Sequence, residues 1–332
     1  VRTDEKDTLQ ALRWAAQNFA VDQVTAEVVG AFKEVEIESI LLKGPTLATW
    51  LYANEGPRLY ADTDLLIQRR DWQRARRALS DLGFQDSEAI AAHPRMDTAE
   101  STWTRLGDDS EVDLHNTLFG LEASPDAVWE ALRAGAVLER VGGVEVLAPP
   151  HHARLLHIAL HAVQHSGEDD EAPMVTLERR PMVDLERAIA MVPRETWVAA
   201  RELAERLDGE AVFAAGLSLT ADGAELAKEI GVRAQVSVKM ALRLNNVPMS
   251  EGFAELSQAG GIGAKLALVR RELFPNPAFM GWWSPIARRG RAGLAVAYLW
   301  RYGWLAWHAP AGFIAWRRAK RNPHDALESN RP

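Results

Sequence analysis

Apolar positions recur at helical spacing from about Thr8 to Val35, with a break near Ala20 to Asp22, and predict two helices ahead of a first strand. The pattern then changes. Ile37 to Leu42 (IESILL) is a short apolar run ending in Lys43-Gly44-Pro45, and Thr46 to Tyr52 turns helical. That order predicts strand, tight turn and helix, with Pro45 in the first helical turn. A second strand is expected over Ala61 to Gln68 (ADTDLLIQ), after the turn-like NEGPR. A helix follows from Asp71 to Leu82, closed by Gly83. Polar and apolar residues alternate in Ser101 to Leu106 and again in Glu111 to Leu118, which predicts two antiparallel strands about a Gly107-Asp108-Asp109 turn. A further hairpin is expected over Val137 to Leu147, turning at Gly142-Gly143.

Pro149-Pro150 ends this α/β region, and beyond it the periodicity is helical throughout. Helices are expected over His151 to His165, Val183 to Val192, Arg194 to Leu207, Ala234 to Arg243 and Ile262 to Leu273, with a last pair from about Ile286 to Lys320. Gly167 to Pro173 (GEDDEAP) reads as an acidic loop. At 332 residues the chain exceeds the usual size of one core, so two domains are expected, 1–148 and 149–332. The fold class is α+β, with a small mixed sheet flanked by helices followed by a mainly α-helical domain.

A hydrophobic content of 47% with 25% charged residues is that of a chain that folds. With no cysteine, disulfides and a thiolate nucleophile are excluded, and zinc is left to His and carboxylates. The first residues, VRTDEKDTLQALRW, hold no apolar stretch of the kind a secretory signal needs, so a cytoplasmic chain is expected. A net charge of −8 argues against wholesale coating of nucleic acid. The charge is uneven, however: Lys265 to Arg321 holds eleven Lys or Arg against the single acid Glu272. An anionic partner would meet that end.

Asp62 and Asp64 are one residue apart on an expected strand, so both carboxylates project from the same face. Two like charges so close are best tolerated around a hard cation such as Mg²⁺, which favours carboxylate, phosphate and water oxygens. Gly44, eighteen residues earlier, ends one strand and opens a helix whose free N–H groups suit a phosphate, and Lys43 adds a charge. Asp113, in EVDLH between Val112 and Leu114, is the candidate third carboxylate.

A strand ending in Gly, a helix, a strand bearing D-x-D and a later strand with a lone Asp together resemble the polymerase-β-like nucleotidyltransferases. More narrowly, LLKGPTL, RLYADTDLLI, RARRALSDLGF and EVDLH are similar to the bacterial family known as uncharacterised nucleotidyltransferases, over roughly residues 35 to 120. The resemblance implies two Mg²⁺ ions held by Asp62, Asp64 and Asp113, with an NTP, ATP foremost, as co-substrate. An acceptor hydroxyl would attack the α-phosphorus while pyrophosphate leaves. Lys43, Gly44 and Arg58 are the candidates for triphosphate contacts. Where the superfamily commonly has Gly-Ser, this chain has Gly44-Pro45-Thr46, so either Thr46 supplies that hydroxyl or none does. Asn116 follows D-L-H in place of the aromatic common in the narrower family. The acceptor is a small molecule, as in antibiotic adenylyltransferases, a peptide or protein of a natural-product pathway, or an RNA end, which the acidic catalytic half disfavours. Two other readings stay open: a nucleotide-binding regulatory module without turnover, and a peripheral membrane protein acting through its last helices.

In the helical half, His157, His161 and His165 share one helix face, which suits a structural or substrate-lining stripe better than a zinc site. Asp184 is a candidate partner for one of them. AGGIGAK (259–265) lacks the Ser or Thr and the preceding strand of a phosphate loop and reads as a helix start. Six of the twelve tryptophans fall between Trp282 and Trp316 among arginines. Such helices suit a membrane surface, a nucleic acid or simple packing with snorkelling arginines. Arg301, His308 and Pro310 interrupt the stretch, so a membrane span is not expected.

Overall fold

A computed structural model describes residues 2–53, 58–86, 100–165, 180–232, 238, 241–242 and 247–322. The acidic segment 167–173 and most of the helix expected over 234–243 lie outside the described residues. By packing, the chain divides into one unit of residues 1–87 with 98–233 and a second of 88–97 with 234–332. The helices immediately after Pro149-Pro150 therefore share a unit with the sheet.

In the first unit the elements run α1 (Arg2–Glu34), β1 (Ser39–Leu41), α2 (Pro45–Leu51), β2 (Asp62–Ile67), α3 (Trp72–Asp81), β3 (Gln85–Asp86), β4 (Glu100–Arg105), β5 (Ser110–His115), α4 (Pro125–Arg133), β6 (Val137–Val141) and β7 (Val144–Ala148). They continue with α5 (His151–Gln164), α6 (Arg180–Met191), α7 (Arg194–Arg206), α8 (Glu210–Leu217) and α9 (Ala221–Glu229). Among the described residues the strands form one mixed sheet in the order β3-β4-β5-β2-β1-β7-β6. The β2/β5 and β1/β7 pairs are parallel and the other neighbours antiparallel.

The expected break in the first helix does not occur: α1 is continuous from Arg2 to Glu34. What changes near Ala20 is burial. Val21, Val24, Thr25, Val28, Val29 and Phe32 form a buried stripe, whereas the turns from Gln10 to Ala20 lie mainly in solvent, and neither Gly nor Pro stands between to stop the helix. This stripe and α3 cover one sheet face, where Leu65, Ile67, Trp103, Val112 and Leu114 meet Phe32, Trp72, Ala75 and Leu79 in a single core. Thr25 and Thr63 share a hydrogen bond of 2.8 Å at its edge, so the buried hydroxyls are satisfied.

The β6–β7 hairpin turns at Gly142 (φ 55°) and Gly143 (φ 89°), the left-handed pair that a two-residue turn demands. Gly142 also has no room for a side chain, since a Cβ there would fall 2.3 Å from the Asp22 carbonyl oxygen on α1.

On the other side, α5 is the central helix of a layer in which α6, α7 and α8 pack around it. Leu155, Leu156, Ala159, Leu160 and Ala162 are fully buried, so this helix is apolar on nearly all sides. Arg154, 1% exposed, ties its start to the α/β elements, donating from Nε to the Pro149 carbonyl (2.7 Å) and from Nη1 to the Thr46 carbonyl (2.8 Å), and pairing with Glu139.

The second unit contains α10 (Ser250–Gln258), α11 (Gly261–Leu273), α12 (Pro277–Trp283), a short 3₁₀ turn (Pro285–Arg288) and α13 (Gly290–Arg321). Gly261 opens α11, as AGGIGAK suggests. The expected pair of last helices is instead one 3₁₀ turn and a single 32-residue helix that continues through Pro310. A proline inside a helix costs one hydrogen bond and bends the axis, and the helix-forming residues on both sides keep it intact here. No helix among the described residues is long and apolar enough to cross a membrane. Arg301 is packed rather than solvated: it pairs with Glu272 (3.3 Å) and lies over the rings of Phe279 and Trp283. Trp300 and Trp307 on the same helix are exposed.

Candidate functional site

The parallel register of β2 and β5 sets Asp62 opposite Glu111 and Asp64 opposite Asp113. Side chains two apart share a face, so Asp62, Asp64, Glu111, Asp113 and His115 all project from the face opposite the α1/α3 core. The antiparallel β4 adds Thr102 opposite Asp113 and Glu100 opposite His115. The result is a carboxylate cluster flanked by one hydroxyl and one imidazole.

Lys43, just past β1, reaches into it. Its Nζ lies 3.0 Å from Asp64 Oδ1, 3.5 Å from Asp62 Oδ2 and 3.2 Å from His161 Nε2. Asp64 Oδ1 also lies 3.3 Å from His115 Nε2, whereas the buried Asp64 Oδ2 has no hydrogen-bond partner. Thr102 donates to Asp113 Oδ1 at 2.7 Å. Two sets of ligand atoms, each set within 4.8 Å, converge here: Asp64, Asp113 and His115, and Asp62, Glu111 and Asp113.

The electrostatics follow from burial and these neighbours. Burial works against a charged Lys43, but Asp64 and Asp62 outweigh it and raise its pKa, so the ammonium persists. Burial likewise opposes an ionised Asp64, yet Lys43 and His115 hold its carboxyl well below the usual range. Asp62 and Glu111 are pushed up by burial and by neighbouring carboxylates. Asp113 is raised to about 7, first by burial and then by Asp64. An orphaned carboxylate oxygen, carboxylates in mutual repulsion and an oxygen-rich donor set together fit a hard divalent cation.

Asp113 carries a stability consequence. Its folded-state pKa lies above its unfolded one, so the folded chain binds the extra proton, and stability present below about pH 4 is lost as pH rises towards 7. Asp113→Asn removes the charge and keeps an oxygen for Thr102. In cation-free buffer at pH 8 the variant is expected to melt several degrees above wild type, with the gap closing by pH 4. An Asp113→Asn protein that melts below wild type at pH 8 would refute this.

The other sequence candidates sit as follows. Gly44 caps α2 with φ 67° and ψ −118°, a conformation open mainly to glycine, which lets the chain turn sharply after Lys43. Thr46 is fully buried and its hydroxyl donates to the Lys43 carbonyl at 3.3 Å, facing the backbone rather than the carboxylates. Arg58 is buried, not a surface turn residue: Nη2 and Nε donate to Asp184 at 2.6 and 3.0 Å. Asp184 thus pairs with Arg58, and with the Tyr52 hydroxyl at 2.6 Å, instead of with a histidine. Asn116 is buried beside the end of β5.

His157 and His161 turn towards the cluster from α5. Burial and then Lys43 depress both, His157 to about 3, which keeps the imidazoles neutral. Neither converging ligand set among the described residues includes the α5 stripe. Lys43, Leu47, Arg58, His157, Ile158, His161, Pro181 and Asp184 enclose a void of about 10 Å³, room for about one water. Glu111 and His115 are not among the sequence candidates. The signal was available, because in E-V-D-L-H they stand two residues either side of Asp113, on its own strand face.

A sequence model of the family described as uncharacterised nucleotidyltransferase matches residues 7–223. No curated protein sequence matches the chain. Among solved structures, the chain is similar to the antibiotic-resistance factor ANT(2'')-Ia, at 14% identity and a TM-score of 0.39 over 57% of this chain and 92% of that one. It is also similar to the lincosamide antibiotic adenylyltransferase LnuA in its lincomycin-bound form, at 12% identity and a TM-score of 0.31 over 48% of this chain and 90% of that one.

Proposed function

Since the chain belongs to the uncharacterised nucleotidyltransferase family, we propose that it moves a nucleoside monophosphate from an NTP, ATP foremost, to an acceptor hydroxyl, using Mg²⁺ held by Asp62, Asp64 and Asp113. The observation that carries this reading is the in-register convergence of those carboxylates on adjacent parallel strands, with Asp64 Oδ2 buried and unpartnered.

Mg²⁺ held by these carboxylates would supply positive charge for the attacking and leaving oxygens of the displacement. The chain's own residues prepare the site. Lys43 keeps its charge among the acids and is the cation placed to meet triphosphate oxygens, while Gly44 gives the backbone its turn beside it. Thr102 fixes the Asp113 carboxylate through Oδ1. Arg58, held by Asp184, supports the wall that Lys43 and His161 also line. The acidic balance of the chain favours a small-molecule or peptide acceptor over RNA.

The test incubates the full chain with each α-labelled NTP, Mg²⁺ and a host-cell extract, and identifies labelled product by mass spectrometry. The expected result is a product heavier by one nucleoside monophosphate, with pyrophosphate released, and neither from Asp62→Ala plus Asp64→Ala. Equal turnover in the double variant, or none in wild type with any NTP, would overturn the proposal.

A further inference from the structure

The two sets of converging ligands differ in chemistry. Asp62, Glu111 and Asp113 offer oxygens alone, whereas Asp64, Asp113 and His115 offer two carboxylates and an imidazole nitrogen. Asp113 is common to both. His115 Nε2 stands 3.3 Å from Asp64 Oδ1, and two donors bound at about 2.1 Å to one cation are themselves about 3.0–3.4 Å apart. Its other nitrogen, Nδ1, faces Glu100 Oε2 at 3.9 Å. A carboxylate behind one ring nitrogen favours the tautomer that leaves the other as a metal donor, the arrangement usual behind ligating histidines. The buried, unpartnered Oδ2 belongs to Asp64, a member of the same set.

From this geometry we propose, resting on the cation-dependent reading above but dividing its carboxylates differently, that the two cation sites of the cluster are unlike. The Asp64/Asp113/His115 site takes a first-row transition-metal dication through His115 Nε2, and the all-oxygen Asp62/Glu111/Asp113 site takes Mg²⁺. Imidazole nitrogen raises affinity for transition metals far more than for Mg²⁺, which prefers oxygen. Thr102 steadies the shared Asp113 through Oδ1. Mn²⁺, the weakest binder of the first-row transition series, is the strictest probe.

The experiment adds one equivalent of Mn²⁺ to the full chain in tenfold excess Mg²⁺ and records pulsed EPR. Mn²⁺ is expected to stay bound and to show nitrogen coupling that changes isotope in protein labelled with ¹⁵N-histidine. His115→Gln should abolish the coupling and weaken Mn²⁺ by at least the roughly 10-fold that loss of a group behind a ligand costs, while Glu111→Gln keeps the coupling. Bound Mn²⁺ without nitrogen coupling, coupling that survives in His115→Gln, or displacement of Mn²⁺ by the excess Mg²⁺ would overturn the two-site proposal and leave the nucleotidyl-transfer reading standing. No cation bound to wild type under any condition would overturn both. Should His115→Gln fail to fold, His157→Gln plus His161→Gln decides: coupling kept there supports His115, and coupling lost there overturns the assignment.

Discussion

Asp64→Asn is expected to lose at least about 10³-fold in NTP turnover, equivalent to about 4 kcal/mol of transition-state stabilisation, and also to melt several degrees below wild type. Both effects come from one side chain with two unlike oxygens. Oδ1 is shared by Lys43 and His115, and Oδ2 is buried without a partner. Asparagine keeps the shape but offers a neutral amide, so the cation loses a charged donor and the Lys43 ammonium loses its nearest counter-charge. Breaking a buried pair from one side typically costs about 3–5 kcal/mol, and Asp62, 3.5 Å from Lys43, offsets part of that here.

The sign is checkable by pH. Asp64 is depressed in the folded state, so its stabilising effect is present above the unfolded carboxylate pKa near 4 and lost as pH falls below it. The stability gap between wild type and Asp64→Asn should therefore narrow in acid. Asp113→Asn shows the reverse: it too should lose turnover, yet gain stability at pH 8. Two neighbouring carboxylates with opposite effects on melting and the same effect on activity would separate a cation site from a structural salt-bridge network. Equal losses of stability in both variants would favour the network. Calorimetric Mg²⁺ titration of each variant, below its melting temperature, gives the independent reading.

Much of this site was legible in the sequence because it depends on strand periodicity. Asp62 and Asp64 had to share a face once residues 61–68 were read as a strand, and the D-x-D, Gly44 and Asp113 spacing supplied the order. What period two cannot give is strand pairing. The parallel β2/β5 register that sets Asp64 beside Asp113 is a tertiary fact, and with it come Glu111 and His115 as neighbours of the pair. The local signals for α4, Ser124 capping Ala127 with Pro125 at the helix start, cover only nine residues between two hairpins, too short a stretch for helical periodicity to stand out. In contrast, α8 (EAVFAAGL) is apolar almost all round and buried, which leaves no amphipathic stripe to detect. The continuous α1 is the converse case, in which a shift in burial breaks the apolar period without ending the helix.

Arg58 and Asp184 stand 126 residues apart and gave no sequence signal of pairing, yet their separation carries the second large prediction. Both are almost fully buried, and the guanidinium meets the carboxylate through Nε and Nη2 while the Tyr52 hydroxyl occupies Oδ1 as well. The pair joins the segment before β2 to α6, and Asn18 on α1 holds the same segment by donating to the Arg58 carbonyl at 2.7 Å. Arg58→Ala leaves an unpaired carboxylate indoors, and Asp184→Ala an unpaired guanidinium, so each is expected to cost about 3–5 kcal/mol in chemical denaturation. Arg58→Lys should restore little, because an ammonium cannot reproduce the planar fork. Tyr52→Phe should cost less, about 1.5–3 kcal/mol, since it removes one hydrogen bond to a charged acceptor. The decisive measurement is the double variant Arg58→Ala plus Asp184→Ala. If the pair acts as a unit, the double loss should be little more than either single loss, so the coupling should approach one single loss, about 3 kcal/mol or more. Strict additivity would mean that the two residues act separately, and Arg58 would then be free for a direct role at the triphosphate.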